Sequence, residues 1–533
     1  MHKLLLLGDE AIALGALDAG LSGMYAYPGT PSTEIMEYIQ ASPESEARGV
    51  HREWSANEKT ALETALGMSY AGKRAMVAMK HVGLNVAADP FINSAVTGIN
   101  GGLVVVAADD PSMHSSQNEQ DSRFYGRFSF VPILEPSSQQ EAYNMVFDAF
   151  ILSEKYRLPV LMRITTRLAH SRAAVERISS EPEKEIRLPE DPRQFVLLPA
   201  IARRKYRALL NTYELLRYDN RLTKYNVFSD GKSRKLGVIT CGIAYNYLME
   251  NFSNSSPDFP VLKLAAYPFP KDILTDITGR VEEVLVLEEG YPFVEEGLRG
   301  LLDDNLKVLG RLDGTIPRDG ELNPGIVAKA LGLRVDPGPD VPSVVRSRPP
   351  SFCKGCGHAD TFDAVIEALK PYNSDGVFSD IGCYTLAALP PYNIINSCVD
   401  MGASVTMAIG AADAGLHPSV AVIGDSTFTH SGMTGLLDAV VKSSPVTIII
   451  SDNSTTGMTG GQKSHATGRL EQICRGLGVA PEHIRTIVPL RKNHVENVRI
   501  MKEEFDYKGV SVIISSRECI QTASRQKKEE ASK

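Results

Sequence analysis

Val422-Ile-Gly-Asp-Ser-Thr-Phe-Thr-His-Ser-Gly432 and Ile448-Ile-Ile-Ser-Asp-Asn-Ser-Thr-Thr456 are two apolar runs that each end in a polar loop. The 25 residues between the loops (427–451) include a predicted helix over about 433–442, and this length makes one β-α-β crossover. Both loops are therefore expected at the carboxyl edge of one parallel sheet, where open α/β sheets bind ligands. Asp425 and Asn453 would supply a carboxylate and an amide oxygen for Mg²⁺ beside a diphosphate, and Gly424 lets the backbone approach closely.

This arrangement resembles the thiamine diphosphate motif, which consists of Gly-Asp-Gly, a spacer of this length, and Asn-Asn. Ser426 replaces the second glycine and Asp452 the first asparagine, whereas Asp425 and Asn453 are kept. The competing interpretation is an ordinary strand-turn-helix of an α/β domain. The second loop at the required spacing favours the cofactor site, in which we take Ser426 and Thr427 as further cofactor contacts and Thr455 as a third magnesium ligand.

The overall composition narrows the class of protein. The 533 residues should form about three domains, and 43% hydrophobic and 23% charged residues are typical of a soluble globular protein. A net charge of −8 argues against a nucleic-acid surface, and no apolar run reaches the ~18 residues that span a bilayer. Seven sparse cysteines and the absence of a signal-peptide pattern predict a cytoplasmic protein.

The predicted fold class is α/β, with three doubly wound parallel-sheet domains, because buried apolar strands alternate with helices in three segments. The predicted organisation is an α/β domain over 1–170, a charged helical connector over 171–234, a second α/β domain over 235–333, a Pro-rich linker over 334–351, a third α/β domain over 352–522 and a disordered tail over 523–533.

Four cysteines form the second constellation. Cys353 and Cys356 open the third domain as a C-x-x-C pair, Cys383 follows in Asp-Ile-Gly-Cys, and Cys519 lies near the end. A turn with incidental thiols is the competing interpretation, and a thioredoxin-like pair is disfavoured because a Pro-rich linker precedes it. On spacing alone, four thiolates suit Zn²⁺ or a [4Fe–4S] cluster equally well, whereas the neighbouring thiamine site favours the redox cluster.

The remaining cysteines, and two motifs of the first domain, complete the set of candidates. We interpret Cys241, Cys398 and Cys474 as inert core thiols. Glu58 begins a helical run, where most glutamates are solvated partners of the helix dipole. Thiamine chemistry, however, requires one carboxyl group that exchanges a proton with the aminopyrimidine ring, and Glu58 is the candidate. The loop of Thr30 follows a strand end and has hydroxyls that could meet a carboxylate.

Taken together, the motifs resemble the large (alpha) subunits of indolepyruvate:ferredoxin oxidoreductases, in the 2-oxoacid:ferredoxin oxidoreductase family. The resemblance covers nearly the whole chain. It rests on Tyr27-Pro-Gly-Thr-Pro-Ser-Thr-Glu34, Trp54-Ser-Ala-Asn-Glu-Lys59, Cys353-x-x-Cys-x-His358, Asp380-Ile-Gly-Cys-Tyr-Thr-Leu-Ala-Ala-Leu-Pro-Pro391, Met401-Gly-Ala-Ser404, Gly424-Asp-Ser-Thr-Phe428 and Asp452-Asn-Ser-Thr-Thr-Gly-Met-Thr-Gly460.

The resemblance implies a pyrimidine-binding domain at 1–170, a transketolase C-terminal-like domain at 235–333 and a diphosphate-binding domain at 352–522. It implies oxidative decarboxylation of an arylpyruvate with coenzyme A and ferredoxin, a smaller beta subunit, and three cofactors: thiamine diphosphate, Mg²⁺ and one [4Fe–4S] cluster. Thr30 would bind the substrate carboxylate. His358 would lie near the reacting centre or serve a structural role. Gly402 and Cys383 join the cofactor contacts.

Three features keep alternatives open. The two-cluster ferredoxin-like run C-x-x-C-x-x-C-x-x-x-C that is usual in the family is not found, so electrons would leave to a separate ferredoxin or small iron–sulfur subunit. Lys354 and Gly357 stand where the family often has proline. A non-redox thiamine-dependent 2-oxoacid decarboxylase and a non-catalytic partner subunit are the alternative functions, and the four cysteines distinguish the first of these from the oxidoreductase.

Overall fold

The computed structural model describes residues 3–178, 180–189, 191, 193–253, 255–299, 306–335, 338, 340–346, 350–372 and 377–532. The chain divides into two compact units, residues 1–339 (unit 1) and 340–533 (unit 2). The division falls within the predicted Pro-rich linker, part of which lies outside the described residues. Unit 1 contains the first two predicted α/β domains and unit 2 the third, and the domain bounds themselves stay predictions.

Unit 1 has fourteen strands and fifteen helices among its described residues. The strands are β1 Lys3–Leu7, β2 Gly23–Ala26, β3 His51–Trp54, β4 Ala75–Lys80, β5 Leu103–Asp109, β6 Ile133–Leu134, β7 Val160–Thr165, β8 Arg172–Glu176, β9 Val227–Ser229, β10 Leu236–Cys241, β11 Val261–Leu264, β12 Ala266–Tyr267, β13 Glu283–Leu287 and β14 Lys307–Leu309. The helices are α1 Gly8–Asp18, α2 Thr33–Ala41, α3 Pro43–Ala47, α4 Glu58–Tyr70, α5 His81–Val86, α6 Ala88–Thr97, α7 Arg123–Phe128, α8 Gln139–Tyr156, α9 Thr166–His170, α10 Pro199–Leu216, α11 Asn220–Thr223, α12 Ala244–Glu250, α13 Lys271–Thr278, α14 Phe293–Arg299 and α15 Pro324–Ala330.

The main sheet of unit 1 has seven strands in the order β12-β6-β7-β5-β4-β2-β3. All neighbours in it are parallel except β12, which runs antiparallel to β6. Strands β4, β5 and β7 are buried almost throughout, as expected for strands that helices cover on both faces. The predicted parallel α/β architecture is confirmed here.

The first strand corrects one expectation. The apolar run Leu4–Leu7 opens the alternation of strands and helices in segment 1–170 and so predicts a strand of the parallel sheet. It forms β1, which instead pairs antiparallel with β8 in a separate two-stranded sheet. Its first three residues are exposed, so the strand lacks the two buried faces of a central parallel strand. Because β8 lies in the predicted connector, that segment is not purely helical. Its long exposed helix, expected over Leu198–Leu222, is α10, which ends at Leu216.

A second sheet of unit 1 has the order β14-β13-β10-β11-β9. Buried ion pairs connect it to the main sheet. Arg163 on β7 contacts Asp109 at 2.6 Å and donates to the Glu289 carbonyl at 2.9 Å, and Arg123 contacts Glu288 at 3.0 Å. Since losing one partner would leave a buried charge uncompensated, these contacts hold the two sheets in one unit.

Unit 2 has eight strands and seven helices among its described residues. The strands are β15 Val377–Ser379, β16 Ile395–Cys398, β17 Ser419–Gly424, β18 Val446–Asp452, β19 Thr455–Thr456, β20 Gln462–Lys463, β21 Ile484–Ile487 and β22 Ser511–Ser516. The helices are α16 Gly357–Leu369, α17 Ala403–Asp413, α18 Asp425–Thr427, α19 Met433–Lys442, α20 Leu470–Gly476, α21 His494–Asp506 and α22 Ile520–Ser532.

The main sheet of unit 2 is parallel, with the order β16-β15-β17-β18-β22-β21. Apolar clusters that include Phe362 and Phe428 form its cores. The predicted crossover from β17 through α19 to β18 is confirmed, and a π-helical turn at Phe428–Gly432 joins α18 to α19. Such turns are frequent at functional sites.

Two further expectations concern helices: the structure of the C-terminal segment and the presence of membrane-spanning helices. The tail expected to be disordered from residue 523 continues the helix α22, which begins at Ile520. Disorder was predicted from the place of the segment at the chain end, but its charged residues and its lack of Pro and Gly are compatible with a helix. Across the described residues, no helix has both the length and the apolar character to cross a membrane.

Candidate cofactor-binding site

The two predicted metal-binding loops end neighbouring strands of unit 2. Strands β17 and β18 pair in parallel with Gly424 opposite Ser451, so the residues that follow them meet at the same edge of the sheet. The Ser426 and Thr456 hydroxyl oxygens lie 2.9 Å apart and join the loops directly. The structure thus brings together the two loops whose juxtaposition the spacing predicts.

Asp425 is buried at this edge in a way that suits a cation. Its side chain is 2% exposed, and Oδ2 has no hydrogen-bond partner among the described residues. Burial raises the pKa of Asp425 to about 7, although a hydrogen bond from Ser464 opposes this increase. A buried carboxylate oxygen without a partner is costly, and Mg²⁺, which prefers such oxygens, would remove that cost.

The second loop offers an amide oxygen and several hydroxyls. Asn453 Oδ1 accepts a hydrogen bond from the Thr455 backbone amide at 3.1 Å and keeps a second lone pair for a cation. The Thr455 hydroxyl donates to the Gln462 carbonyl at 3.1 Å, so only its oxygen lone pairs remain available. Thr427 donates to the Ile381 carbonyl at 3.2 Å, a contact that positions its own loop.

Two glycines leave room beside these loops. A Cβ on Gly424 would stand 2.7 Å from the ring of Tyr384, too close for any other residue without a shift of that ring. Gly402 has φ of 101°, which favours glycine, and a Cβ there would stand 2.6 Å from Cβ of Ser431. Both positions therefore require glycine on steric grounds, as the sequence comparison with the motif suggested.

Asp380 connects the two glycine loops. Its Oδ2 accepts hydrogen bonds from the Ser404 hydroxyl at 2.6 Å and the Gly402 amide at 3.3 Å, and the Tyr384 hydroxyl donates to its Oδ1. Burial raises the pKa of Asp380 to about 7 despite these donors. The residue thus positions Gly402 and the ring that faces Gly424.

The four cysteines of the second constellation converge on one cavity. Cys353, Cys356, Cys383 and Cys519 line a cavity of about 130 Å³ that Asp452 and Asn453 also line. The Cys519 amide donates to the Asn453 carbonyl at 3.2 Å, so the loop after β22 is attached to the second metal-binding loop. Cysteines that are 166 residues apart in sequence therefore share one pocket with the second of the two predicted cofactor loops.

The separation of the sulfur atoms bears on the group that they could hold. Among the described residues, no three of these sulfurs lie within 4.8 Å of one another. A single Zn²⁺ with Zn–S bonds of about 2.3 Å would hold its four sulfurs about 3.8 Å apart. Burial and the other three thiols raise the pKa of Cys383 to about 11, so the sulfurs are close enough to interact electrostatically. The arrangement suits a group larger than one ion.

His358 lines the same cavity beside the cysteines. It lies in the first turn of α16, 7% exposed, with Nδ1 at 3.3 Å from Cys356 Sγ. Burial lowers the pKa of His358 to about 4, so the imidazole is neutral at physiological pH. A neutral ring can donate one hydrogen bond to a sulfur.

Glu58 begins α4 in unit 1 and is 6% exposed. Asn57 caps this helix with a hydrogen bond from the Thr60 amide at 2.8 Å. Helix α5 supplies Gly83, where a Cβ would stand 2.6 Å from Glu58 Oε1. The carboxyl group therefore lies directly against a glycine backbone, and it is not one of the solvated helix-start glutamates of the competing interpretation.

Thr30 lies in a loop that the structure closes tightly. The Ser32 hydroxyl donates to the Gly29 carbonyl at 2.8 Å, and the Gly29 amide donates to the Thr33 hydroxyl at 3.1 Å. The Ser115 hydroxyl donates to the Thr30 carbonyl at 3.3 Å. The loop is thus fixed both internally and to the segment after β5.

Lys80 adds a half-buried cation next to this loop. Its ammonium donates to the Ser115 carbonyl. The Lys80 Cβ packs so close to Gly29 that a Cβ built on this glycine would stand only 3.2 Å from it. Burial lowers the pKa of Lys80 to about 8, although the nearby Asp110 carboxylate opposes this decrease. The arrangement places a titratable positive charge beside Thr30.

Family models match a part of each unit. Residues 14–209 match the model described as pyruvate flavodoxin/ferredoxin oxidoreductase, thiamine diphosphate-binding, and residues 380–488 match the C-terminal thiamine pyrophosphate-binding domain of thiamine pyrophosphate enzymes. The indolepyruvate oxidoreductase subunit IorA of Archaeoglobus fulgidus is 40% identical over 99% of this chain and 88% of its own length. That of Methanothermobacter thermautotrophicus is 39% identical over 97% of this chain and 87% of its own length.

The chain belongs to the IorA family of indolepyruvate oxidoreductase subunits. The family consists of thiamine diphosphate-dependent enzymes of 2-oxoacid oxidation, as the motifs indicated. A 2-oxoglutarate:ferredoxin oxidoreductase from Magnetococcus marinus, whose structure contains 2-oxoglutarate, coenzyme A and succinyl-CoA, shares the fold. It is 17% identical with a TM-score of 0.51, over 62% of this chain and 65% of its own.

The sequence did not single out two side chains near these loops, and the place predicted for a third is wrong. Lys80 ends a buried strand, which is a position where a charged residue is unusual, and that was the available signal. Asp380 was quoted only as part of a motif. Cys398, expected in the core, is exposed at the end of β16, because that strand is at the edge of its sheet. Cys241 and Cys474 are buried as expected.

Proposed function

We propose that this chain is the large subunit of an oxidoreductase that converts an arylpyruvate of the indolepyruvate type and coenzyme A to the acyl-CoA and CO₂. The two electrons pass singly through one [4Fe–4S] cluster to ferredoxin. The substrate class follows from the printed names of the relatives, and coenzyme A is bound in the Magnetococcus marinus structure. The sparse thiols suit the cytoplasm.

One observation carries this proposal: the four cysteines and the loop of Asn453 line the same cavity. A 2-oxoacid oxidation releases two electrons, so the cofactor needs a one-electron acceptor close by. Four cysteine thiolates are the usual ligands of a [4Fe–4S] cluster. The wide separation of the sulfurs supports a cluster and argues against a single zinc ion.

The residues of the chain take the following roles in this scheme. Asp425, Asn453 and Thr455 hold Mg²⁺, and the adjoining loops with Gly424 and Ser426 hold the diphosphate. Thiamine, when bound, supplies the carbon nucleophile and the electron sink that decarboxylation requires.

Two further roles belong to unit 1. Glu58 exchanges a proton with the aminopyrimidine ring, which is why its carboxyl group must be held out of bulk water. Thr30 and Lys80, which both contact Ser115, bind the substrate carboxylate, since a hydroxyl and a half-buried ammonium are suited to an anion.

His358 takes a supporting role. Its Nδ1 is 3.3 Å from the Cys356 sulfur, and hydrogen bonds to cluster sulfurs are one way in which proteins tune cluster potentials. A neutral imidazole in that position is better suited to donate to the sulfur than to bind a substrate carboxylate. The sequence allowed two roles for His358, one near the reacting centre and one structural. We therefore favour the structural role.

A non-redox 2-oxoacid decarboxylase is the alternative function. It would use the same loops and the same glutamate but would have no need of a cluster. The convergence of four cysteines on the cavity is unexplained in that scheme. The metal content of the purified protein therefore separates the two functions.

The anaerobically purified enzyme, produced with its smaller beta subunit, is expected to contain about four irons and four sulfides at this site. Cys383→Ser should lose this iron, because it removes one of four ligands, and should lose arylpyruvate-dependent reduction of a viologen dye. Cys398→Ser is the matched control, because Cys398 is exposed and does not line the cavity. Iron and sulfide analysis with EPR of the reduced protein measures the result.

Stoichiometric zinc with no iron would contradict the oxidoreductase and favour the decarboxylase. A [4Fe–4S] signal that survives in Cys383→Ser and Cys519→Ser alike would contradict the ligand assignment while leaving the activity intact. Full activity with coenzyme A omitted would remove coenzyme A from the reaction.

Lys80→Met is expected to raise KM for the arylpyruvate at least about tenfold, because one charge-assisted hydrogen bond contributes about 1.5–3 kcal/mol. In the wild type, KM should rise as pH increases through about 8, since the ammonium loses its charge there. This rise should be absent in Lys80→Met. Steady-state kinetics from pH 7 to about 9 measure both effects.

Lys73→Met is the control for this prediction, because Lys73 is paired with Glu183 near the surface of the same unit. It should leave KM and its pH dependence unchanged. An unchanged KM in Lys80→Met would remove Lys80 from the substrate site.

A further inference from the structure

A third constellation lies in unit 1 and has no role in the reaction proposed above. Asp9 in the first turn of α1, Glu34 in the first turn of α2 and His170 at the end of α9 meet at one point. Each can offer one ligand atom, and these three atoms all lie within 4.8 Å of one another. His170 Nε2 and Glu34 Oε2 are 3.5 Å apart.

Asp9 shows that this is more than a group of neighbouring polar residues. Its side chain is completely buried, and neither carboxylate oxygen has a hydrogen-bond partner among the described residues. Burial and then the Glu34 carboxyl raise the pKa of Asp9 well above its usual range. A buried carboxyl group that accepts no hydrogen bond from an amide, hydroxyl or cationic donor is rare in proteins, because nothing offsets its loss of hydration. The neighbouring Glu34 carboxyl can share a hydrogen bond with it only when one of the two acids is protonated.

We propose that Asp9, Glu34 and His170 bind a divalent transition-metal ion of the zinc type. One imidazole nitrogen and two carboxylate oxygens are ligands that Zn²⁺ accepts, at about 2.0–2.2 Å. In a tetrahedral site such ligand atoms stand about 3.4 Å apart. The observed separations, all within 4.8 Å, therefore need a contraction of at most about 1.5 Å, which side-chain rotation can provide.

The charge and the identity of the ligands narrow the class of ion. Two carboxylates and a neutral imidazole balance a divalent charge, and the nitrogen ligand disfavours Mg²⁺ and Ca²⁺. Glu10, the next acid along α1, is already engaged by the Leu7 amide at 2.8 Å and by Arg172 at 2.9 Å. Glu10 would therefore not act as a ligand, and water would occupy the remaining coordination positions of the ion.

The site is accessible to an ion from solvent. The side chains of Glu34 and His170 are each 34% exposed, whereas Asp9 forms the closed end of the site. A metal ion could therefore enter from the exposed side without unfolding of the unit.

The consequence of metal binding would be a fixed substrate loop. Glu34 begins the helix that follows the loop of Thr30, and the Thr33 hydroxyl already accepts a hydrogen bond from the Gly29 amide. An ion bound by Glu34 would join this loop to the start of α1, through Asp9, and to the end of α9, through His170. The site is therefore structural, and it positions Thr30 without contacting the substrate.

The test uses the anaerobically purified enzyme with Co²⁺ as the probe, in excess Mg²⁺ and without thiamine diphosphate, so that the loop of Asp425 does not compete. Equilibrium dialysis should find one cobalt per chain in the wild type. Its visible spectrum should lack thiolate-to-cobalt charge transfer, which would mark binding at the cysteines. Asp9→Asn and His170→Gln should each weaken binding at least about 100-fold, as expected for loss of a direct ligand.

His114→Gln is the matched control, because His114 also faces a glutamate, Glu321, at 3.5 Å but lies at the surface. It should bind cobalt like the wild type. The proposal is overturned if the wild type takes up no more cobalt than His170→Gln, or if the bound cobalt shows thiolate charge transfer. Should Asp9→Asn fail to fold, His170→Gln, at an exposed position, still decides. Iron in the same samples reports on the cysteines alone, so this test and that of the proposed function can fail separately.

Discussion

Asp425→Ala should abolish magnesium-dependent binding of thiamine diphosphate, with an affinity loss of more than about 100-fold. The carboxylate is buried at 2% exposure with one oxygen unpartnered, so an ion is the group that would complete its interactions. The variant would lack the carboxylate ligand of the Mg²⁺ ion that neutralises the diphosphate. Only the Asn453 amide oxygen and the Thr455 hydroxyl would remain of the proposed ligands. Isothermal titration calorimetry with thiamine diphosphate and Mg²⁺ measures the loss.

Asp438→Ala is the matched control for this prediction. Asp438 lies on α19, in the same crossover, and pairs with Lys442 at the surface. It should bind the cofactor like the wild type. An unchanged affinity in Asp425→Ala would remove the metal assignment, whereas a loss of affinity in both variants would point to a general effect on folding.

The order of the strands explains how much of this site could be predicted from sequence. Two apolar runs separated by a crossover length must lie side by side in a parallel sheet, and β17 and β18 do so in register. The position of Asp425 and Asn453 follows from that pairing alone. The same reasoning was wrong for β1, because an apolar run does not reveal whether it pairs with the main sheet or with a distant segment such as β8.

The contacts that could not be predicted are those between residues far apart in sequence. Cys519 was grouped with Cys353, but the hydrogen bond from its backbone amide to the Asn453 carbonyl, which positions the loop after β22, could not be predicted. The surroundings of Lys80 depend on Ser115, which lies in the long loop between β5 and α7. Asp9, Glu34 and His170 each look ordinary in sequence, since each stands at the end of a helix where charged residues are common.

The boundary between the first two α/β segments shows the same limit. The strand pattern alone predicts two separate sheets, and two large sheets are present among the described residues of unit 1, beside the two-stranded sheet of β1 and β8. The sequence does not reveal that β12, from the second segment, extends the sheet of the first by pairing with β6. Nor does it reveal that Arg123 pairs with the Glu288 carboxylate of the second segment and that Arg163 donates to the Glu289 carbonyl there, because such contacts leave no periodic signal.

Glu58→Gln should leave cofactor binding intact and slow the exchange of the C2 proton of bound thiamine diphosphate by about 10²–10⁴-fold, the usual contribution of a positioned acid or base. Glutamine preserves the shape of the side chain beside Gly83 but cannot exchange a proton with a ring nitrogen. Proton NMR of the bound cofactor after transfer to deuterated water measures exchange, and calorimetry measures binding.

The neighbouring glycine offers a second route to the same effect. A Cβ at position 83 would stand 2.6 Å from Glu58 Oε1, so Gly83→Ala must displace the carboxyl group while keeping its chemistry. It should slow exchange in the same direction as Glu58→Gln. Glu63→Gln, at an exposed position of the same helix, should exchange at the wild-type rate. Wild-type exchange in Glu58→Gln would exclude the carboxyl group from the relay, and slow exchange in Glu63→Gln would show that the helix as a whole is responsible.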